Sequence, residues 1–118
     1  MAVKRTCMAL DLARDSQLVA EYLDLHSTSG MWPEIPAGIR EAGIADMQIY
    51  RIGYRLFMIV DHDEDTSLTD AFAKMSTMPR QPEWAALMAG FQRKLADAKP
   101  DEHWATMEPV FLLNDHIR

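Results

Sequence analysis

Apolar and polar positions along this chain repeat with two different periods, and the switches between them mark out the elements. Thr6 to Leu12 is apolar enough for a buried strand. Asp15 or Ser16 can then cap a helix through a side-chain oxygen. Leu18, Val19, Tyr22, Leu23 and His26 follow at spacings that place all five on one helical face, and Ser27-Thr28-Ser29-Gly30 ends that helix. A second helix is expected to open at Trp32-Pro33-Glu34, with Pro33 and Pro36 near its first turn. Ile35, Ile39 and Ala42 form its apolar stripe, and Gly43 is placed to close it in a left-handed conformation.

The period then changes to two. Asp46 to Ile52 and Arg55 to Val60 read as a hairpin around Gly53-Tyr54. In the first strand Met47, Ile49 and Arg51 share one face, and Gln48, Tyr50 and Ile52 share the other. Leu56 to Val60 is apolar on both faces, as a central strand requires. The acidic stretch Asp61-His62-Asp63-Glu64-Asp65 is expected to be a solvated turn. Leu68, Ala71, Phe72 and Met75 mark a third helix capped by Thr66 or Ser67 and broken by Pro79 and Pro82. Trp84, Leu87, Met88, Phe91 and Leu95 mark a fourth, and Ala105 to Leu113 reads as a last strand, with Pro109 placing it at an edge or a bulge.

Strand, helices, strand, strand, helices, strand is the α+β order of a ferredoxin-like βαββαβ fold, with helices on one face of an antiparallel sheet. The other face needs a cover. Two sheets packed face to face in a homodimer, a dimeric α/β barrel, would supply it.

A chain of 118 residues, 48% hydrophobic and 25% charged, fits one globular domain spanning 1–118. The net charge of −6 argues against nucleic acid as a partner, because phosphate binding needs a concentrated basic face. No apolar run approaches the ~20 residues of a membrane span. The N-terminus is interrupted too soon by Asp11 and Arg14 to be a signal peptide, so a cytoplasmic location is expected. Cys7, the single cysteine, has no intramolecular disulfide partner and reads as a buried structural thiol.

Among candidate chemical groups, His62 lies among four acids, but Glu64-Asp65-Thr66 lacks the spacing of a calcium loop, and no metal is expected. The end of the first helix is more informative. Tyr22 and His26 are four residues apart, side by side on the face that points at the sheet. A buried phenol and imidazole need partners. They are either two core residues with satisfied hydrogen bonds or a polar cluster facing a pocket. With Trp32, Glu34 and Trp84 they would suit a sugar, since aromatic faces stack on pyranose C–H groups and Tyr, His and Glu bond hydroxyls. By itself, Trp84 at the head of its own stripe reads as core.

Glu21-Tyr22, His26 and Met31-Trp32-Pro33-Glu34-Ile35 resemble the signature of the L-rhamnose mutarotase family. So do Gly43 to Tyr50, Leu56-Phe57, Trp84 with Met88, and Pro109-Val110-Phe111, a likeness running from about Thr6 to Leu113. The resemblance implies a dimeric, ferredoxin-like, cofactor-free isomerase acting on a monosaccharide. It further implies that His26 is the general acid/base and that Tyr22 and Trp84 contact the sugar. Where family members acting on rhamnose carry a tyrosine, this chain has Met47; where they carry a second tryptophan, it has Ala85. Asp46 to Tyr50, Arg55 to Ile59, Ala98-Lys99-Pro100, Trp104 and Met107-Glu108 are more similar to the branch associated with L-fucose.

The expected reaction is therefore interconversion of the α and β anomers of a 6-deoxy-L-hexose. One group removes the proton of the anomeric hydroxyl while another protonates the ring oxygen. His26, in the last turn of its helix, is expected to be held toward its protonated form and to serve as the donor. Water, Tyr22 or Glu34 would be the partner base. Two other readings fit the same fold: a cofactor-independent monooxygenase, which needs a pocket for an aromatic substrate, and a non-catalytic sugar-binding or dimerisation module.

Overall fold

A computed structural model describes residues 2–117. The chain runs through β1 (Val3–Leu12), α1 (Ser16–Leu25), α2 (Glu34–Glu41), β2 (Ile44–Ile52), β3 (Arg55–Asp63), α3 (Leu68–Met75) and α4 (Gln81–Ala89). Two short strands follow, β4 (Gln92–Arg93) and β5 (Ala105–Thr106). The sheet order is β2-β3-β1-β4, with β5 also on β1, and every pairing is antiparallel. β3 thus lies between the first two strands, the split βαβ arrangement of the ferredoxin-like fold. No helix among the described residues is long and apolar enough to cross a membrane.

Register decides which side chains form the core. Met8 faces Met58 and Leu10 faces Leu56 across the β1–β3 ladder. Alternation then puts Met8, Leu10, Leu12, Leu56, Met58 and Val60 on one face, and all are buried. Val19, Tyr22, Ile35, Trp84 and Met88 cover one end of that face, and Ala71 of α3 packs at the other. Met47 and Ile49 of β2 lie on the same side, as the period-two reading expects. Asp15 caps α1 by accepting from Gln17 N at 2.9 Å and Leu18 N at 3.1 Å, and Ser67 caps α3. Gly43 follows α2 at φ 97°, the left-handed stop expected of it.

Five local expectations are corrected. The acidic stretch is not a solvated turn throughout: β3 runs on to Asp63, and His62 is buried at 3% exposure. Its Nδ1 lies 3.0 Å from both Asp63 O and Thr66 O, and its Nε2 lies 3.4 Å from Thr6 Oγ1 of β1, a partner a linear reading cannot supply. Pro82 does not break a helix but sits in the first turn of α4, where its missing N–H costs nothing. That helix ends at Ala89, leaving Phe91 buried beyond it and Leu95 in the following loop. The last strand pairs only over Ala105–Thr106, with Met107 N still donating to Cys7 O. Continued pairing would bring in Pro109, which has no N–H to give the ladder. Cys7 is half-buried, on the sheet face away from the helices.

Close approach of two helices fixes Gly38. A Cβ there would lie 2.8 Å from Gln81 Nε2 and 2.9 Å from Met78 Cβ. Gln81, buried at 4% exposure, donates to Ile35 O at 3.1 Å and ties the start of α4 to α2. Gly38→Ala is expected to lower stability by about 1–3 kcal/mol through overpacking, despite alanine's better helix propensity. Urea unfolding measures this; a variant as stable as wild type would show that α4 moves away freely.

Candidate active site

The last turn of α1 carries the site. Tyr22 is the largest of the fully buried side chains, and its ring lies 4.2 Å from that of His26, centroid to centroid. His26 is the C-cap residue of α1, and its Nδ1–H donates to Tyr22 O at 2.7 Å. The same carbonyl also accepts from His26 N at 3.3 Å, so the ring adds a second, shorter bond at the helix end. It also fixes the tautomer: with the proton on Nδ1, the neutral ring has its lone pair on Nε2. Nε2 has no hydrogen-bond partner among the described residues, yet no buried side-chain polar atom among them is left unpartnered. It is therefore accessible, on a residue that lines a cavity.

Burial lowers the His26 pKa, with the bond to the Tyr22 carbonyl opposing it more weakly. The imidazole is consequently neutral at pH 7, against the expectation of a charged donor, because burial is the larger effect on this ring. Burial also raises the Tyr22 pKa, while a hydrogen bond from Gln92 Nε2 to its hydroxyl oxygen, at 3.2 Å, works against that. Tyr22 is a protonated phenol at neutral pH.

The cavity has a volume of about 430 Å³, within the usual range of small-molecule sites. Its wall is mostly apolar, with Met31, Met47, Ile49, Met58, Met88 and Trp104 prominent. Tyr22, His26, Gln92 and Gln81 are among the few polar side chains. Trp84, reaching in from α4, meets His26 edge-on at 5.4 Å. Ala85, one residue on, lines the same space and is exposed. Among the described residues no three His, Cys, Asp or Glu side chains converge as a metal site would require.

Of the residues singled out from the sequence, Tyr22, His26, Met47 and Trp84 all line this cavity. Trp32 and Glu34 do not. Trp32 meets Trp84 edge-on at 5.1 Å, and the Arg80 guanidinium lies over the Trp32 ring at 3.8 Å. The same arginine approaches Glu34 Oε2 at 3.5 Å, so the carboxylate is engaged outside the cavity. Arg80 can do this because it precedes α4 in a left-handed conformation, φ 62°, invisible to periodicity. Gln92 was not foreseen. It follows the apolar stripe of α4, and only its pairing opposite Leu12, a core-facing position, turns it inward.

Residues 5–113 match the family model described as L-rhamnose mutarotase. The chain belongs to the L-rhamnose mutarotase family. It is thus a sugar mutarotase, an isomerase. An L-fucose mutarotase of Xanthomonas campestris pv. campestris is 37% identical over 117 residues, covering 99% of this chain and 94% of the relative. A UPF0734 protein of Dictyostelium discoideum is 32% identical over 115 residues, covering 94% and 90%. The crystal structure of an L-rhamnose mutarotase from Formosa agariphila superposes with a TM-score of 0.61 at 18% identity, covering 92% of this chain and 97% of that one. This last likeness establishes the shared fold.

Proposed function

We propose that this mutarotase interconverts the anomers of a 6-deoxy-L-hexose, L-fucose in preference to L-rhamnose, with His26 and Tyr22 as its acid/base pair. The observation that carries the reading is the pairing itself: a neutral imidazole with an open Nε2 beside a protonated phenol, their rings 4.2 Å apart in one cavity. Mutarotation needs one acceptor and one donor at once. Nε2 of His26 takes the anomeric hydroxyl proton, and that O–H electron pair becomes the second bond of the aldehyde. The bond from C1 to the ring oxygen breaks, and the ring oxygen takes the Tyr22 proton. After rotation about C1–C2 both transfers reverse on the other carbonyl face. Neither side chain is consumed.

Trp84 offers an aromatic face to the sugar's C–H groups, and the methionines offer apolar surface to its methyl group. Trp32 and Glu34 act one layer further out, holding Trp84 and Arg80. The L-fucose preference draws on the Xanthomonas relative and on Met47 and Ala85, which line the cavity without a hydroxyl or a second indole. Exchange NMR of each sugar with and without the protein tests the reading. Faster exchange for L-fucose is expected; no acceleration of either sugar would sink it.

A homodimer is part of the same proposal. The sheet face away from the helices carries Tyr50 at 58% and Ile52 at 72% exposure, with Phe57 and Ile59 half-buried beside them. The extended segment after β5 exposes Val110, Phe111 and Leu112 as well. Uncovered apolar surface of this extent favours a second copy. Sedimentation at micromolar concentration should give twice the chain mass, and a stable monomer would overturn the assembly.

A further inference from the structure

Tyr22 cannot choose freely what it bonds. Its hydroxyl oxygen receives Gln92 Nε2 at 3.2 Å, and the other end of that carboxamide, Oε1, lies 2.8 Å from His103 Nε2. With a carbonyl oxygen as partner, His103 Nε2 must carry the proton. The three groups therefore donate in one direction: His103 to Gln92, Gln92 to Tyr22. The phenol already accepts, which leaves its own proton to be donated elsewhere. We propose that Gln92, held by His103 in the orientation seen here, is a positioning residue that makes Tyr22 a donor into the sugar cavity. This rests on the mutarotase roles given above and extends them to two residues those roles do not use.

The fold holds each member in place. Gln92 pairs with Leu12 of β1, whose side chain is in the core, so the carboxamide points toward the cavity. Phe91, buried beside it, meets the Tyr22 ring edge-on at 5.7 Å. His103 comes back on the loop between β4 and β5. Glu102 braces that loop by accepting from Lys99 N at 2.9 Å through Oε1 and from Thr106 N at 3.3 Å through Oε2. Without the imidazole the amide can flip. Its oxygen would then accept the Tyr22 proton, and the phenol would point away from the sugar. Bonds in such a chain polarise one another, so the donor into Tyr22 also makes its proton easier to release. In agreement, the Gln92 bond lowers the Tyr22 pKa against the larger effect of burial.

The test uses Gln92→Leu, His103→Phe and His103→Gln in the full chain, alone and with Tyr22→Phe. Gln92→Leu is expected to lower kcat for anomer exchange about tenfold with KM little changed, the scale of one hydrogen bond. His103→Phe should lose less, and His103→Gln, whose amide can still donate, should recover most of that loss. In the Tyr22→Phe background Gln92→Leu and His103→Phe should add almost nothing, because the group they orient is gone. Equal losses in both backgrounds would overturn the proposal. A second readout needs no catalysis: NMR titration of the Tyr22 Cζ carbon should show its pKa rising in Gln92→Leu. An unchanged titration overturns the hydrogen-bond chain even if turnover falls. Wild-type protein that accelerates no sugar defeats the mutarotase roles, and with them this proposal, whatever the titration shows.

Discussion

His26→Ala is expected to lower the catalysed rate of anomer exchange by about 10²–10⁴-fold, the usual contribution of one positioned acid/base group. The loss should fall on kcat, because the cavity wall that holds the sugar is mostly apolar and remains in place. The fold should persist, since His26 is only partly buried and caps a helix end from which the remaining turns are already tied to the sheet. The same residue sets a pH dependence whose sign is fixed by the structure. Burial puts the His26 pKa below its ordinary 6.5, and the unprotonated ring is the acceptor. Catalysed exchange should therefore be flat around neutrality and fall as pH drops through that lowered value. Subtracting buffer-catalysed exchange at each pH isolates the effect. Activity that rises on acidification would make the imidazolium the working form, and exchange in His26→Ala within twofold of wild type would remove the residue from the chemistry.

The second large effect concerns substrate choice. L-Fucose and L-rhamnose share a methyl group and differ in the orientation of ring hydroxyls, so discrimination comes from polar groups that meet or miss those hydroxyls. Leaving a buried donor or acceptor unpaired costs about 1–3 kcal/mol, roughly five- to 150-fold in rate ratio. Met47 and Ala85 both line the cavity, and Ala85 is exposed, so an indole can be added there without displacing the core. Met47→Tyr with Ala85→Trp is expected to shift the ratio of exchange rates toward L-rhamnose by at least tenfold. Both sugars should be compared at equal concentration. A double variant that slows both equally would mean that these positions shape the cavity without reading the hydroxyls.

Much of the site was legible before any coordinates. Tyr22 and His26 at four-residue spacing on the apolar stripe of α1 is a local property, and the helix preserves it. Alternation grouped Met47 with Ile49 on one face of β2, and pairing opposite Val60 and Met58 made that face the core side. Gln92 was not legible, because its inward aim comes from pairing with Leu12, eighty positions earlier in the chain. The lowered pKa of His26 was not legible for a related reason: its place at a helix end can be read from the sequence, but desolvation depends on what packs around the ring. The Arg80 contacts with Trp32 and Glu34, outside the cavity, likewise join residues 48 and 46 apart, through a backbone conformation no period reveals.

The sequence by itself determined the order of the elements through the third helix, narrowed each cap to two neighbouring residues, and paired off the residues that share each face of the hairpin strands; its motifs also carried the resemblance to the family. The local features depend on neighbours within a turn or two, where spacing dictates geometry. Only the tertiary structure decided that His62 is core, that pairing at the C-terminus stops at β5, and which groups reach the cavity with which protons. Those outcomes depend on burial and on hydrogen-bond partners brought in from distant segments, and neither is a property of any stretch of chain taken alone.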